Sequence, residues 1–596
     1  MSILQKIRFI LTPQERKSAI VLLCLMTVGM VLEMVGVGVL FPVMLILGQN
    51  DLASHARVRP VLEFLGNPTQ VQLIVGAMLA LVVAYFVKNM FLAFLAWRRV
   101  RVTSAIQVQL MQRLFSAYMR QPYTFHLQRN SAQLGYNIGQ AGAFIGVIQS
   151  GMTIFTDSLA MFGISSLLLL VEPLGAVIAV IILGAAVWSF HRITRARITR
   201  WGVALQYHEA QGGQHMAQGF GGVKDVKLLG RENNFLEKYH LHSSKGARIA
   251  GSQAILQQFP RLWLELLALV GLTILVLSMI AQGVGVARIV PTLALFAAAV
   301  YRMTPAATRI LAAVQNIRYS LPSVDLLYEE TKLLVLKSTT MRKESATLSV
   351  LQTDIRLSNL NYTYPNAPIP SLNGISIIIQ KGESVGFIGP SGSGKSTLVD
   401  IILGLLPPEK GLVTVDGQDI QTNLRAWQDQ IGYVPQAIYL TDDTLRHNVA
   451  FGLSDEAIDD AALKRAIRDA QLEEFVASLP KGIDTMVGER GIRLSGGQRQ
   501  RIGIARALYH DPAVLVLDEA TSALDTATEQ GVMQAVTALQ GSKTILIVAH
   551  RLSTVEHCDR LYRLEKGMLV AEGAPAEMLA SSKVTFSAIE TLNPTE

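Results

Sequence analysis

Residues 389–397 have the residue types and order of a phosphate-binding loop. The strand-like run Ser384–Ile388 leads into Gly389-Pro-Ser-Gly-Ser-Gly-Lys-Ser-Thr397, and the helix-like run Leu398–Leu405 follows. This matches GxxxxGK[ST] in the strand, loop and helix setting that the pattern requires. Backbone N–H groups would face phosphate oxygens, the Lys395 ammonium would reach the β and γ phosphates, and the Ser396 hydroxyl would coordinate Mg²⁺. The residues predicted to bind a nucleotide here are Gly389, Ser391, Gly392, Ser393, Gly394, Lys395, Ser396 and Thr397.

Two adjacent carboxylates could complete this chemistry. The apolar run Val514–Leu517 ends in Asp518 and Glu519, and ligands of α/β sheets bind at the carboxyl ends of the strands. One carboxylate can hold the Mg²⁺ shell while the next polarises a water for in-line attack on the γ phosphate. The pair is suggestive of hydrolysis only if the fold brings it beside the loop.

A sheet must therefore position both groups, and the last part of the chain has the pattern of one. Short apolar runs alternate with helical segments from about Asp354, which predicts an α/β domain over residues 354–596. A charged helical stretch over residues 326–353 is interpreted as a linker. The predicted strands are 355–360, 375–379, 384–388, 412–415, 513–517 and 544–548.

The composition indicates that the rest of the chain is not soluble. Of 596 residues, 50% are hydrophobic and only 16% are charged, whereas a soluble chain carries about 25% charged residues. The composition therefore disfavours a wholly soluble or a wholly disordered protein. The two cysteines, Cys24 and Cys558, are too few and too far apart for a disulfide framework, a CxxC motif or a four-cysteine zinc site.

Six apolar runs in residues 1–325 predict a helical domain that spans a membrane six times, because about 20 apolar residues cross a bilayer. Lys and Arg concentrate in the connections between spans two and three and between spans four and five, so these loops and both termini are predicted to be cytoplasmic. The net charge of +8 is explained by these loops, and no nucleic-acid partner is expected. Residues 52–65, on the outer side, fit an amphipathic interfacial helix or a plain loop. The six runs are 19–47, 71–97, 142–171, 174–190, 255–280 and 289–314.

Further motifs of the last domain, in chain order, resemble those of the ATP-binding cassette family. Gly488-Glu-Arg-Gly491 precedes the signature Leu494-Ser-Gly-Gly-Gln498, as in exporters, and Ser522-Ala-Leu-Asp525 is similar to the D-loop. The resemblance covers the whole domain and implies ATP and Mg²⁺ as cofactors. By position in these motifs it implies nucleotide contacts for Tyr364, Gln436, Ser495, Gly496, Gly497, Gln498, Asp525 and His550.

The resemblance also implies individual roles. Tyr364 would stack on adenine, Gln436 would sense Mg²⁺ and couple to the membrane helices, Asp518 would hold the metal, Glu519 would be the catalytic base, and His550 would contact the γ phosphate. A packed strand aromatic is the alternative for Tyr364, and a capping side chain is the alternative for His550.

An exporter-type half-transporter is the architecture that this resemblance implies. In the family the phosphate loop of one cassette faces the signature of another, and one chain carries one of each, so a dimer is expected. A homodimer is the simplest form, and a heterodimer is the alternative. Coupling helices would lie near residues 121–131 and 221–230.

Cations inside the spans indicate the substrate. Lys88, Arg261, Arg302 and Arg309 interrupt apolar runs, and a charge at the centre of a span costs about 2.5–3.5 kcal/mol on insertion scales. With the amphipathic outer segment, they resemble bacterial flippases of lipid-linked oligosaccharides that serve protein glycosylation.

That resemblance implies a polyprenyl-pyrophosphate substrate moved to the outer leaflet of a bacterial inner membrane. The structural alternative is that Arg261 and Arg309 reach headgroups while Arg302 pairs with Glu265 or Glu33. A general lipid, peptide or drug exporter and a nontransporting ATPase regulator are the other functions considered.

Overall fold

The computed structural model describes residues 1–48, 70–171, 173–281, 286–338, 349–365, 367–488, 491, 494–520, 526–549 and 551–578. The chain divides into two compact units. The first comprises Met1–Gln121 and Phe125–Thr340, and the second comprises Pro122–Thr124 and Met341–Glu596. The main boundary, between Thr340 and Met341, falls within residues 326–353, the segment interpreted as a linker.

Helices joined by short turns make up the described residues of the first unit. A long helix covers each of the six predicted apolar runs, and short helices occupy both segments predicted for coupling helices. The helices are α1 (Ile3–Ile10), α2 (Pro13–Gly48), α3 (Gln70–Met119), α4 (Tyr123–Leu127), α5 (Ser131–Gly139), α6 (Ala141–Val171), α7 (Pro173–Gly221), α8 (Val223–Leu228), α9 (Glu232–Ala281), α10 (Val286–Tyr319) and α11 (Leu321–Ser338).

Three helical stretches in the described part of this unit are long and apolar enough to cross a membrane. They are Ile74–Met119, Ser131–Gly163 and Glu232–Ala281. Large apolar side chains such as Val82 and Phe86 are exposed on α3, as expected of a surface that lipid covers. The predicted outer helix over residues 52–65 lies outside the described residues.

The long helices pack in pairs. Helix α9 packs along α7, and α10 packs along α6. The approach of α7 to the end of α10 depends on Gly202, since a Cβ there would lie 2.1 Å from the Tyr319 carbonyl oxygen. Helix α1 packs on α11, where the Lys6 ammonium donates to Asp325 at 2.7 Å.

The second unit contains two sheets. One is antiparallel with the order β2-β1-β4-β5, and the other has the order β10-β9-β3-β8-β7-β6 with β9, β3, β8, β7 and β6 parallel. The strands are β1 (Asp354–Tyr362), β2 (Leu372–Gln380), β3 (Ser384–Ile388), β4 (Lys410–Val415), β5 (Gln418–Asp419), β6 (Ile431–Val434), β7 (Val514–Asp518), β8 (Thr544–Val548), β9 (Arg560–Glu565) and β10 (Met568–Gly573). All six predicted strands are present. Strands β5, β6, β9 and β10 were not predicted.

Helices surround the second sheet and connect its parallel strands. They are α12 (Lys395–Ile402), α13 (Leu424–Gln428), α14 (Leu445–Val449), α15 (Asp460–Asp469), α16 (Glu473–Ser478), α17 (Gly496–Leu508) and α18 (Thr526–Thr537). Strands β3 and β8 are buried along their whole length, because helices cover both faces of a parallel sheet. The α/β fold predicted for this unit is therefore present.

Candidate functional site

The phosphate loop joins β3 to α12, as its sequence predicts. Gly392 and Gly394 have φ values of +78° and +100°, a region that glycine adopts without steric cost. At Gly389 a Cβ would lie 2.1 Å from the Leu564 carbonyl oxygen, so a side chain there would collide with β9. The loop therefore approaches its neighbours too closely for larger residues, and its last turn delivers the free N–H groups of a helix N-terminus.

Lys395 is buried at the first position of α12. Its ammonium donates to the carbonyl oxygens of Gly389 at 2.9 Å and Pro390 at 3.0 Å. Burial lowers the pKa of Lys395, and the carboxylates of Glu519 and Asp518 oppose that effect. The Lys395 ammonium thus lies at the phosphate loop, and both carboxylates are near enough to stabilise its positive charge.

Glu519 follows directly after β7 and has a positive φ of 49°, an uncommon conformation for a residue with a side chain. Its Oε2 accepts a hydrogen bond from Gln436 Nε2 at 2.7 Å. These two residues come from motifs 83 positions apart. The turn after β7 directs Glu519 into the site, and Gln436 fixes one carboxylate oxygen.

A cavity of about 600 Å³ brings part of the phosphate loop together with Tyr364 and Glu519. The whole segment from Ser391 to Thr397 lines it, with Tyr364 on one side and Glu519 on another. The Tyr364 hydroxyl lies 3.3 Å from Thr397 Oγ1, and its ring meets that of Tyr362 edge-on at 5.1 Å. Aromatic, phosphate-loop and carboxylate groups therefore share one pocket large enough for a nucleotide.

Lys566 and Gly567 also line this cavity, and the sequence did not identify them. They form the turn between β9 and β10, with φ values of 47° and 77°. The Gly567 N–H donates to the Ser393 carbonyl oxygen at 3.0 Å, which ties this turn to the phosphate loop. A Lys-Gly pair is a recognisable turn signal, but nothing in the local sequence indicates that the turn lies beside the loop.

The donor set fits Mg²⁺. Asp518 ends β7, Ser396 lines the cavity, and the Gln436 amide has its nitrogen donating to Glu519 and an oxygen that could bind a metal. These are the hard oxygen donors that Mg²⁺ prefers. The Tyr433 hydroxyl donates to Asp518 Oδ2 at 3.5 Å, and burial together with Asp518 raises the pKa of Tyr433, so it stays a donor. Burial and the nearby Asp518 also raise the pKa of Asp400 to about 6.

The signature residues are not among those that line this cavity. Ser495 caps α17, its Oγ accepting from Gln498 N at 3.2 Å while Gln498 Oε1 accepts from Ser495 N at 2.8 Å. Gly496 and Gly497 form the first turn of the same helix. Asp525 and His550 lie outside the described residues.

The predicted substrate cations lie in different surroundings. The Lys88 ammonium lies 4.1 Å from the centre of the Tyr85 ring, and Arg261 is an exposed side chain that pairs with Glu265 at 2.8 Å. Arg309 makes two hydrogen bonds to Asp157, which the sequence did not identify as its partner. The side chains of Arg302 and Glu33 lie outside the described residues.

Comparison with known proteins agrees with this geometry. The family described as "ABC transporter" matches residues 372–522. An ATP-dependent lipid A-core flippase from Alkalilimnicola ehrlichii is 31% identical over 500 residues, which cover 81% of this chain and 81% of the relative. The chain belongs to the ATP-binding cassette exporter family. A relative with the same description from Cupriavidus pinatubonensis is 29% identical over 81% of both chains.

One solved structure shares the fold of this exporter over nearly its whole length. A bacterial Atm1-family ABC exporter with ATP bound covers 98% of this chain with a TM-score of 0.74 and 24% identity. The expected combination of a helical membrane region and a cassette is therefore present. As a half-transporter of this family, the chain couples ATP hydrolysis to translocation across a membrane.

Proposed function

We propose that this exporter is a flippase that moves a polyprenyl-pyrophosphate-linked oligosaccharide from the inner to the outer leaflet of a bacterial inner membrane. The observation that carries the proposal is that the similarity to lipid flippases covers about 80% of the chain and so includes the helical unit. Arginines inside the predicted spans supply positive charge for a pyrophosphate, because a guanidinium matches phosphate oxygens with paired donors. Six spans with both termini cytoplasmic complete the proposed topology.

Each cassette residue then has a role. Lys395 binds the β and γ phosphates, and Ser396, Asp518 and Gln436 hold Mg²⁺, which compensates the charge of the triphosphate when bound. Glu519 takes the proton of the attacking water, and its hydrogen bond from Gln436 orients the carboxylate. Tyr364 stacks on the adenine, and His550 contacts the γ phosphate.

The proposed active form is a homodimer with two equivalent ATP sites. Ser495 caps its own helix rather than lining the cavity of its own chain, so a second chain would supply the signature that completes each site. Mixing Lys395→Ala subunits with Ser495→Arg subunits should restore hydrolysis, because a mixed dimer keeps one intact composite site. Equal hydrolysis by a monomeric preparation would contradict this arrangement.

A second candidate substrate is a lipid A-core glycolipid, which the names of the relatives favour. Proteoliposomes that contain the full chain would receive either a polyprenyl-pyrophosphate-linked oligosaccharide or a lipid A-core glycolipid. ATP-dependent movement of the first, with stimulation of ATP hydrolysis, supports the proposal. Movement of the second alone supports the other candidate, and movement of a neutral amphiphile at the same rate indicates a general exporter.

A matched control separates transport from leakage. Glu519→Gln proteoliposomes should bind ATP without moving either lipid, so any movement that remains is passive. Hydrolysis without movement of any of the three lipids would instead indicate an ATPase that regulates another membrane complex.

A further inference from the structure

A second cavity, of about 450 Å³, lies within the helical unit. Four helices enclose it: α2, α3, α6 and α10. Its lining includes the apolar residues Met26, Leu92, Leu95, Ala96 and Val100. It also includes the polar or charged residues Arg99, Gln149, Thr153, Thr156, Asp157 and Arg309. Such a mixed lining suits an amphiphile with a charged group and a hydrocarbon chain.

Asp157 and Arg309 form an ion pair in the lining of this cavity. Arg309 Nε donates to Asp157 Oδ2 at 2.9 Å and Arg309 Nη2 donates to Asp157 Oδ1 at 2.7 Å, a bidentate arrangement. The burial of the two side chains differs, because the Asp157 side chain is 10% exposed and the Arg309 side chain is 56% exposed. The carboxylate is thus enclosed by protein while the guanidinium borders the cavity.

Arg99 brings a second positive charge to the same lining. Its Nη2 donates to the Gln149 carbonyl oxygen at 2.9 Å and to Thr153 Oγ1 at 3.0 Å, and both acceptors are neutral. Gln149, Thr153 and Asp157 are spaced four residues apart, so they lie on one face of α6. Asp157, on this face, pairs with Arg309. The residues that line this cavity therefore carry two guanidinium groups and one carboxylate, a net charge of +1.

The level of the cavity agrees with a lipid headgroup. The predicted second span, residues 71–97, ends two residues before Arg99, on the side that the Lys and Arg distribution predicts to be cytoplasmic. Arg99 contacts α6 through Thr153, and Arg309 lies ten residues before the end of α10 at Tyr319. The two arginines thus lie close to the cytoplasmic ends of predicted spans two and six, residues 71–97 and 289–314, at the level expected for the phosphates of the inner leaflet.

We propose that this cavity binds the pyrophosphate of the substrate lipid as it leaves the cytoplasmic leaflet, with Asp157 as the resident counter-ion that competes with the lipid for Arg309. Arg99 and Arg309 contact the pyrophosphate, and the apolar lining residues contact the first part of the prenyl chain. Asp157 orients Arg309 before the lipid binds and weakens retention of the anion afterwards. This inference rests on the proposed substrate class and adds Arg99 and Asp157 to it.

Two substitutions test this proposal, because they should change the affinity for polyprenyl pyrophosphate in opposite directions. Asp157→Asn removes the competing charge and should tighten binding of polyprenyl pyrophosphate, by about tenfold if one charge-assisted hydrogen bond is released to the lipid. Arg99→Gln should weaken binding by a similar factor. Arg99 has neutral partners, so its replacement leaves no buried charge unpaired and the variant is expected to fold.

Arg101→Gln is the matched control. Arg101 is on the same helix as Arg99, lies 5.2 Å from the Trp97 ring and does not line the cavity. Its replacement should leave lipid affinity unchanged within about twofold, which corresponds to about 0.4 kcal/mol. Thermal unfolding of each variant in the same detergent identifies any loss of folding.

The measurement is equilibrium binding to the whole chain reconstituted in nanodiscs, with polyprenyl pyrophosphate in one arm and phosphatidylglycerol in the other. Tighter binding of polyprenyl pyrophosphate by Asp157→Asn and weaker binding by Arg99→Gln support the proposal. The proposal is overturned if all variants bind polyprenyl pyrophosphate with equal affinity. It is also overturned if the changes in affinity occur with phosphatidylglycerol and not with polyprenyl pyrophosphate. Transport of the oligosaccharide lipid by wild type in proteoliposomes is measured separately. A wrong assignment of this cavity can therefore be distinguished from a wrong assignment of the transported lipid.

Discussion

Replacing Glu519 with Gln separates the chemical step from nucleotide binding. The two side chains have nearly the same shape, and an amide oxygen can still accept the 2.7 Å hydrogen bond from Gln436. A hydrogen bond to a charged group contributes about 1.5–3 kcal/mol and a neutral one about 0.5–1.5 kcal/mol, so the local cost is about 1 kcal/mol. The fold of the cassette should therefore persist.

The effect on hydrolysis should be much larger. An amide cannot take the proton of the attacking water, and a general base contributes roughly a factor of 10² to 10⁴ in rate. We expect steady-state hydrolysis at or below about 1% of wild type, an increase of about 3–5 kcal/mol in the barrier. ATP affinity should stay equal or increase, because one negative charge near the phosphates is removed while Lys395 remains.

The assay combines phosphate release by the reconstituted full chain with equilibrium binding of a fluorescent ATP analogue. Glu456→Gln is a matched control, since Glu456 is an exposed glutamate of the cassette that does not line the cavity. Hydrolysis by the Glu519→Gln protein within about tenfold of wild type would refute the role of this carboxylate. Loss of nucleotide binding with hydrolysis would show that Glu519 positions the nucleotide instead.

Two further predictions concern stability. Gly202→Ala should destabilise the helical unit by at least about 1–3 kcal/mol, since the new Cβ would lie 2.1 Å from the Tyr319 carbonyl oxygen. Gly151→Ala is the control and should be neutral or stabilising, because no neighbouring atom lies within 4 Å of the new Cβ. Equal unfolding temperatures of the two variants in detergent would contradict this prediction. Hydrogen bonding to Asp443 raises the pKa of His447 in the folded protein. The stabilisation from this pair should therefore be complete below the ordinary histidine pKa of about 6.5. It should be lost as the pH rises through the raised pKa of the folded protein. The unfolding temperature of His447→Gln should then fall below that of wild type at pH 6 and approach it at about pH 8.5, and a gap that does not change with pH would argue against the ion pair.

Features made by residues close together in the chain could be predicted from the sequence. The phosphate loop is one example, because its glycines, Lys395 and Ser396 lie between a strand and a helix that are themselves local patterns. Strands β3, β7 and β8 are another, since burial on both faces requires an uninterrupted apolar run. The long helices of the first unit follow from the apolar runs, because within a bilayer a single segment can satisfy its own backbone hydrogen bonds only as a helix.

Two of the strands that were not predicted, β9 and β10, have weaker local patterns. Strand β9 (Arg560–Glu565) mixes charged and apolar residues, and β10 (Met568–Gly573) is an edge strand with alternate residues exposed. Their identity as strands depends on pairing with β3 and with each other. Such pairing is a tertiary property, so periodicity within a few residues does not indicate it.

Contacts between distant side chains were decided by the tertiary structure alone. The sequence predicted roles for Gln436 and Glu519 separately, but the order of β6 and β7 in the sheet brings them within hydrogen-bonding distance. Likewise the charge of Arg309 was evident, whereas its partner Asp157 lies 152 residues away on a helix that packs against α10. Residue type and local spacing determine what a side chain can do, and the packing of helices and strands determines which other side chain it meets.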